Sequence, residues 1–422
     1  MAETLRQLVS DVTGSPVYFV ALLFVGTYPI VTALYWIAGA LVFSRHRERS
    51  YDDDFYALTE TLFVSVVVAA HNEEQTLDET LRSICALDWP RFEVLVVDDG
   101  SDDGTPEILR SWARAGTIRY LRKESNEGKA LALDDALPLL HGELILVVDA
   151  DGSPRPDVLR WMVPHFLRVP RLAALTGNPR VANTTTLLAL LQAIEFSATV
   201  SVLRRAQATW GRLMTVSGIC ALIRRSALEE VGRFRPEMAT EDIALTWQLE
   251  SRFYDVRYEP RAVFSMEVPE SLPAWWRQRV RWARGLSQVL RRHASVLGDR
   301  RRRRLWPVWI EAALSLLWCH LFLLGALLWV IGLTIGVYDF GSNPVPNFWG
   351  MLIVCVGLAQ ISLGLLLDNR YDEHMLRYLL WAPLYPLLYW ALNAGTVVRG
   401  TVPGLLRRPD APVTWSSRRH SG

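Results

Sequence analysis

Residues 63–74 read Phe63-Val64-Ser65-Val66-Val67-Val68-Ala69-Ala70-His71-Asn72-Glu73-Glu74. An apolar run that does not alternate, and that stops abruptly at polar residues, fits a strand covered on both faces, as in a parallel sheet. Helical spacing of Leu77, Leu81 and Ile84 follows at once, over residues 76–87. The same unit then recurs. A strand at 92–97 ends in Asp98-Asp99-Gly100-Ser101 and precedes a helix at 106–115. A strand at 118–121 leads through Asn126-Glu127-Gly128-Lys129 into a helix at 130–140, and a strand at 144–148 ends in Asp149-Ala150-Asp151-Gly152. This order predicts an α/β, Rossmann-like, doubly wound sheet. In such sheets ligands bind outside the carboxyl ends of the strands, where all these polar clusters fall.

Neither a GxGxxG after the first strand nor a GxxxxGK[ST] is present, which disfavours dehydrogenase and P-loop readings. The pocket is acidic instead, and an acidic pocket takes a phosphorylated ligand only with a cation between them. Asp149 and Asp151 offer hard oxygen ligands for Mg²⁺ or Mn²⁺, and Lys129 could add a point charge to the same diphosphate. Asp98, Asp102 and Asp103 read equally well as caps and turn residues. Further along stand Thr176-Gly177-Asn178-Pro179, then Ser217-Gly218-Ile219-Cys220, then Thr240-Glu241-Asp242 opening an amphipathic stretch over 243–249. A carboxylate at a helix start can be a cap, or here a general base. The run PAWWRQRVRWARG packs arginines, an amide and tryptophans, among them Gln278, Arg281 and Trp282, into one segment. It lies where the α/β region meets apolar spans, and a sugar or polyanion would account for it.

Half of the 422 residues are hydrophobic and 17 are tryptophan, so the chain is not a purely soluble protein. The net charge of +1 averages over unlike regions and identifies no partner. Cys85, Cys220, Cys319 and Cys355 are too scattered for a zinc spacing or a disulfide framework and read as reduced apolar residues. Residues 17–43 exceed the roughly 20 needed to span hydrocarbon and are too long for a signal peptide. Arg45, His46, Arg47 and Arg49 behind them place the N-terminus outside and the following domain in the cytoplasm. Further spans are expected at 309–337, 349–367 and 376–398, after a basic stretch suited to anionic lipid that includes Arg291, Arg292 and Arg300 to Arg304. Four crossings would leave the C-terminus outside, yet Arg399, Arg407, Arg408, Arg418 and Arg419 ask for the inside. Pro383 and Pro386 could bend the last span, and 309–337 could include an interfacial helix. The expected division is a tail (1–16), a span (17–43), a cytoplasmic domain (44–290), a basic segment (291–308), a membrane block of about three helices (309–398) and a basic tail (399–422).

AAHNEE, VVDDGSDDGT, NEGKALAL, DAD, TED and QRVRW, in this order and between apolar spans, resemble the processive family 2 glycosyltransferases of the cellulose, chitin and hyaluronan synthase kind. LTGNPRVANTTTLL, RAQATWGRLMTVSGICALIRRSALEEVG and TEDIALTWQLESRFYDVRYEPRA resemble more narrowly the branch making poly-β-1,6-N-acetylglucosamine for bacterial biofilm matrix. The resemblance implies a GT-A fold, UDP-N-acetylglucosamine as donor, a growing polysaccharide as acceptor, Mg²⁺ or Mn²⁺, and inverting transfer in the bacterial cytoplasmic membrane. It implies that His71, Asn72, Glu73 and Asp99 hold the uridine, that Lys129 meets the diphosphate, and that Asp149 and Asp151 act through the metal. Asp242, beside Glu241, would be the base, and Gln278, Arg281 and Trp282 would hold the acceptor end and the leaving group beneath a channel. Trp275 and Trp276 could stack on a pyranose or anchor at the membrane interface. A small accessory membrane subunit and cyclic di-GMP are implied partners, with no nucleic-acid polymer, although no complete motif for that dinucleotide is present. Two features depart from the family: one N-terminal span where two are common, and Arg284 where relatives carry Gln. The alternatives are another β-linked polymer (hyaluronan, chitin or cellulose-like), transfer to a lipid carrier, or a transporter with a nucleotide-sensing domain. The last is disfavoured because Glu311 and His320 are the few intramembrane ionisable candidates.

Overall fold

The computed structural model describes residues 2–48, 53–56, 60–337, 347–406 and 411–414. Arg49, Arg407, Arg408, Arg418 and Arg419, invoked above for topology, lie outside them. The expected N-terminal tail is a helix, α1 (Ala2–Thr13). Ser15 caps the next, α2 (Pro16–Phe43), by accepting a hydrogen bond from the Tyr18 amide. A short α3 (Asp53–Tyr56) then leads to the sheet.

The first half follows the expected alternation: β1 (Val64–Ala70), α4 (Leu77–Cys85), β2 (Phe92–Asp98), α5 (Thr105–Arg114), β3 (Arg119–Arg122), α6 (Lys129–Ala136) and β4 (Leu144–Asp149). All seven residues of β1 are buried because the strand is central, between β2 and β4 and parallel to both. Val64, Val66 and Val68 pack on one face with Leu77, Leu81 and Met162, while Val67 and Ala69 pack on the other with Leu133 and Leu137. Covering both faces explains the lack of alternation.

The second half departs from a wholly parallel sheet. It runs β5 (Gly152–Pro154), α7 (Val158–Arg168), β6 (Leu172–Val181), α8 (Leu187–Glu195), α9 (Val202–Trp210), β7 (Ala221–Arg224), α10 (Arg225–Glu230), α11 (Glu241–Ser251) and β8 (Asp255–Met266). The eight strands are ordered β3-β2-β1-β4-β7-β6-β8-β5. β7 is antiparallel to both β4 and β6, so the sheet is mixed. The stretch from Thr240 is not amphipathic either: α11 is buried from Ala244 through Ser251.

After the sheet come α12 (Leu272–Arg292), α13 (Trp306–Thr334), α14 (Asn347–Asp368) and α15 (Trp390–Leu406). Among the described residues four helical stretches are long and apolar enough to cross a membrane: Pro16–Glu48, Leu187–Trp210, Arg300–Thr334 and Trp349–Asp368. Three match expected spans, but the fourth does not. Residues 376–398 are broken into a 3₁₀ turn (Met375–Trp381), a π turn (Tyr385–Tyr389) and the start of α15, as Pro383 and Pro386 dictate by removing amide donors. Leu187–Trp210, which sequence reading passed over, is mostly buried inside the fold.

Two devices lock the apolar helices to the sheet domain. Arg205 pairs with Glu48 (2.7 Å) and Asp368 (3.0 Å), joining the ends of the first and last of these apolar stretches through α9, and Asp368 also meets Arg180. Gly400 and Gly404 let α15 lie directly on the backbone of α12. A methyl group at either would stand 2.6 Å from a carbonyl oxygen, of Val280 or Arg284 respectively.

Candidate active site

Three strand ends define one side of the site. Beyond β1, Asn72 adopts a left-handed conformation (φ 59°) and its Oδ1 accepts the Asp102 amide at 2.9 Å. His71 Nδ1 lies 2.8 Å from the Asp99 carbonyl oxygen. Asp99 is fully buried, and its carboxylate accepts the amides of Glu127 (3.1 Å) and Gly128 (2.7 Å), which shapes the loop carrying Lys129. Glu73 is buried as well and accepts the Thr76 hydroxyl. Of the three ambiguous aspartates, Asp98 accepts the Ser101 amide, and Asp103 accepts those of Glu74 and Thr105. Both shape the turn.

The central cluster forms where β4, α6 and α11 meet. Lys129 Nζ lies 2.5 Å from Asp149 and 3.0 Å from Glu241, and so joins the DAD and TED motifs. Asp151 and Asp242 line the same cavity. Asp242 accepts the Gly218 amide at 3.2 Å and its neighbour Ile243's at 2.8 Å. Burial, and then the Glu241 carboxylate, push the Asp242 carboxyl up to about 6 against the opposing pull of Lys129, into the range of a working general base. Burial opposes the charge on Lys129, but Asp149 and Glu241 outweigh it and hold the ammonium above its usual range.

Asp149 and Asp151 fit a divalent cation in one specific sense. Among the described residues no three His, Cys, Asp or Glu side chains cluster as a closed metal cage. Mg²⁺ is commonly held by one or two carboxylates together with substrate phosphates and water, and this pair opens onto a cavity able to admit them. The Lys129 ammonium, already against Asp149, shows that this position favours a cation.

Another side of the site is built on α12. Gln278, Arg281 and Trp282 all line the cavity; Gln278 Oε1 is buried with no donor among the described residues, and Arg281 Nη1 reaches the Ala239 carbonyl at 3.4 Å. Beside them on the cavity wall stands a buried pair that sequence reading left without a role. Arg279 makes two hydrogen bonds to Glu195, at 3.1 and 2.5 Å, and its guanidinium lies 4.3 Å from the Trp282 ring centroid. Tyr389 donates to Glu195 at 2.8 Å and accepts from Trp275 Nε1 at 2.8 Å. Trp275 is therefore fully buried, neither sugar platform nor interfacial anchor, because its indole N–H serves this network. Arginine at every second position of RQRVR was the available signal, since a helix turns Arg279 and Arg281 to different faces.

These groups enclose one cavity of about 470 Å³, which extends to Ser315 and Leu316 on the apolar helix α13 and to Asn393 and Val397 on α15. The segment 411–414 closes its rim: the Val413 amide bonds to Pro236 O at 2.8 Å, and Gly128 (φ +95°) leaves room for the Val413 carbonyl. The structure thus brings Lys129, Asp149, Asp151, Glu241, Asp242, Gln278, Arg281 and Trp282 together, while His71, Asn72, Glu73 and Asp99 belong to the adjoining loops of β1 and β2.

A sheet with carboxylates at its strand ends, facing a carboxylate at a helix start, is the layout of a GT-A transferase. The model of glycosyl transferase family 2 matches residues 65–232, and the chain belongs to that family. It is 32% identical over 397 residues to a poly-β-1,6-N-acetyl-D-glucosamine synthase of Staphylococcus epidermidis, covering 92% of this chain and 96% of that one. The synthase of the same name from Staphylococcus aureus strain COL is 32% identical over 395 residues, with the same coverage. Among solved structures, the mannosyltransferase PcManGT from Pyrobaculum calidifontis, in complex with GDP-Man and Mn²⁺, superposes with a TM-score of 0.62 at 23% identity. That superposition covers 90% of this chain and 99% of PcManGT and confirms the GT-A fold.

Proposed function

We propose that this chain polymerises N-acetylglucosamine from UDP-N-acetylglucosamine into a β-1,6-linked polysaccharide and passes it across a bacterial cytoplasmic membrane for biofilm matrix. One observation carries the reading: the DAD and TED carboxylates and the QxxRW side chains share a single cavity that continues onto the apolar helix α13. The long relatives at 32% identity supply the sugar and the linkage.

In the proposed step Asp242 takes the proton from the acceptor's 6-hydroxyl. The freed oxygen attacks the anomeric carbon from the face opposite the diphosphate, the bond from that carbon to the diphosphate oxygen breaks, and UDP departs, so the configuration inverts to β. Asp149 and Asp151 would hold Mg²⁺ or Mn²⁺, which neutralises charge on the leaving diphosphate. Lys129, released from Asp149 when that charge arrives, and Arg281 complete the neutralisation. Trp282, steadied by Arg279, offers a flat face to the acceptor ring. The loops holding His71, Asn72, Glu73 and Asp99 receive the uridine.

Three crossings, by α2, α13 and α14, reconcile the charges. They return the C-terminus to the catalytic side, in keeping with α15 lying on α12 and with Val413 bonded to Pro236. The exposed arginines at 300, 301, 303 and 304 then face anionic headgroups.

The test is purification in detergent, incubation with single UDP-sugars, and digestion of the product with linkage-specific glycosidases. A polymer cut only by a β-1,6-specific enzyme, formed from UDP-N-acetylglucosamine alone, lost with Asp242→Asn or on chelation and restored by Mn²⁺, is the expected result. A single-sugar product, or polymer at wild-type rate from Asp242→Asn, would refute the reading. The same assay with candidate small membrane subunits and cyclic di-GMP added measures dependence on each.

A further inference from the structure

The cavity wall contributed by α8, α9 and the π-helical stretch between them carries a cation that the step above does not use. Phe196, Val200 and Arg204 line the cavity at four-residue spacing, hence on one helical face. Arg204 is 6% exposed. Its Nη1 reaches the Gly177 carbonyl only at 3.4 Å, its guanidinium lies 5.9 Å from the Tyr258 ring centroid, and its Nε is buried with no acceptor among the described residues. Among the described residues no carboxylate pairs with it, whereas the adjacent Arg205 has two.

A buried guanidinium with an unmet N–H and no counter-ion is costly, and a ligand oxygen arriving in the cavity removes that cost. The diphosphate has Lys129 and Arg281. Arg204 instead shares its wall with Glu195, which through Arg279 steadies Trp282, so it borders the acceptor ring. That ring offers hydroxyls, which both donate and accept, and one acetamido carbonyl, which only accepts. Guanidinium only donates. Removing the acetyl group replaces that carbonyl by an amine that is protonated at neutral pH, a like charge in a cavity shielded from water.

We propose that Arg204 binds the acetamido carbonyl of the acceptor's terminal ring and so excludes de-N-acetylated ends from elongation. The inference rests on the polymer reading above and adds a specificity determinant to it. A site built to hydrogen-bond a group rejects an analogue lacking it, because its own polar atoms are left unpaired.

The experiment uses the full chain in detergent with UDP-N-acetylglucosamine and two soluble β-1,6-linked trisaccharide acceptors, one fully N-acetylated and one with a free amine on the ring to be extended. Wild type should extend the acetylated end more efficiently by at least about tenfold. Arg204→Gln should lose about tenfold or more in kcat/KM for that acceptor and discriminate within about threefold, with the KM for the donor unchanged. Where Arg204→Gln fails to bind UDP, Arg204→Lys is judged instead. It should lose acceptor efficiency, because the guanidinium fork is gone, and still reject the amine. Donor consumption without discrimination by wild type, or a discrimination ratio unchanged in Arg204→Gln, overturns the inference alone. No donor consumption with either acceptor overturns the polymer reading and the inference together.

Discussion

Gly285→Ala should cripple catalysis without touching any group that meets substrate. A methyl group at Gly285 would stand 2.1 Å from Thr240 Oγ1, 2.5 Å from its Cγ2 and 2.8 Å from its Cβ. Carbon contacts settle at roughly 3.5–4.0 Å, and turning the Thr240 side chain does not move its Cβ. Helix α12 must therefore retreat by about 1 Å. It has little room to do so, because Gly400 and Gly404 already hold α15 against its other side. Thr240 directly precedes Glu241 and Asp242, and Arg281 and Trp282 lie one turn before Gly285. The retreat thus opens the gap between the proposed base, Asp242, and the proposed acceptor platform, Trp282. Misplacement of about 1 Å costs roughly a hundredfold in rate, or about 2.7 kcal/mol of barrier. Coupled UDP release gives kcat and KM, and calorimetry gives UDP affinity, which should be unchanged because the β1 and β2 loops stay in place. Adding Thr240→Ala should restore part of the rate, since Thr240 Oγ1 has no hydrogen-bond partner among the described residues to lose. A kcat for Gly285→Ala within twofold of wild type would refute the reasoning.

Because burial and Glu241 raise the Asp242 carboxyl to about 6, and only the ionised form accepts a proton, kcat/KM should rise with pH through about 6. Glu241→Gln should move that limb to lower pH and Lys129→Met to higher pH; a limb that moves in neither variant counts against Asp242 as the base. Glu195→Gln leaves Arg279 buried beside a neutral amide, and breaking one partner of a buried ion pair costs about 3–5 kcal/mol. Thermal unfolding in detergent should show that loss, and a wild-type midpoint would dismiss the pair as a support. Glu195→Leu with Arg279→Met should recover stability but not synthesis, since Trp282 loses the cation 4.3 Å from its ring. Gly128→Ala adds a methyl group 2.0 Å from the Val413 carbonyl at a φ of +95°, so the 411–414 segment should detach and become sensitive to protease. Unchanged digestion would contradict that packing.

Much of the fold is local, and local features are legible. Residues 63–70 could only be a doubly covered strand, and the loops after β1, β2 and β4 had to be polar because a parallel sheet delivers its strand ends to one edge. His71, Asp99 and Asp149 were found that way, within one residue of the observed strand ends. The antiparallel β7 was not, since its four residues, Ala221–Arg224, carry the same apolar signal whichever way the strand runs.

Spans were judged by hydropathy alone, which separates lipid from water but not lipid from a protein interior. Leu187–Trp210 was therefore missed as a buried wall, and 376–398 was taken for a span that Pro383 and Pro386 break. The seam motif shows the division most clearly. By itself the sequence determined that Gln278, Arg281 and Trp282 lie on one short segment rich in charge and aromatic rings. Only the tertiary structure decided which arginine is spent on Glu195 and which is left with no more than the Ala239 carbonyl among the described residues, and that Trp275 is a strut. Those choices rest on partners 84 and 114 residues away, and no helical period encodes a partner that distant.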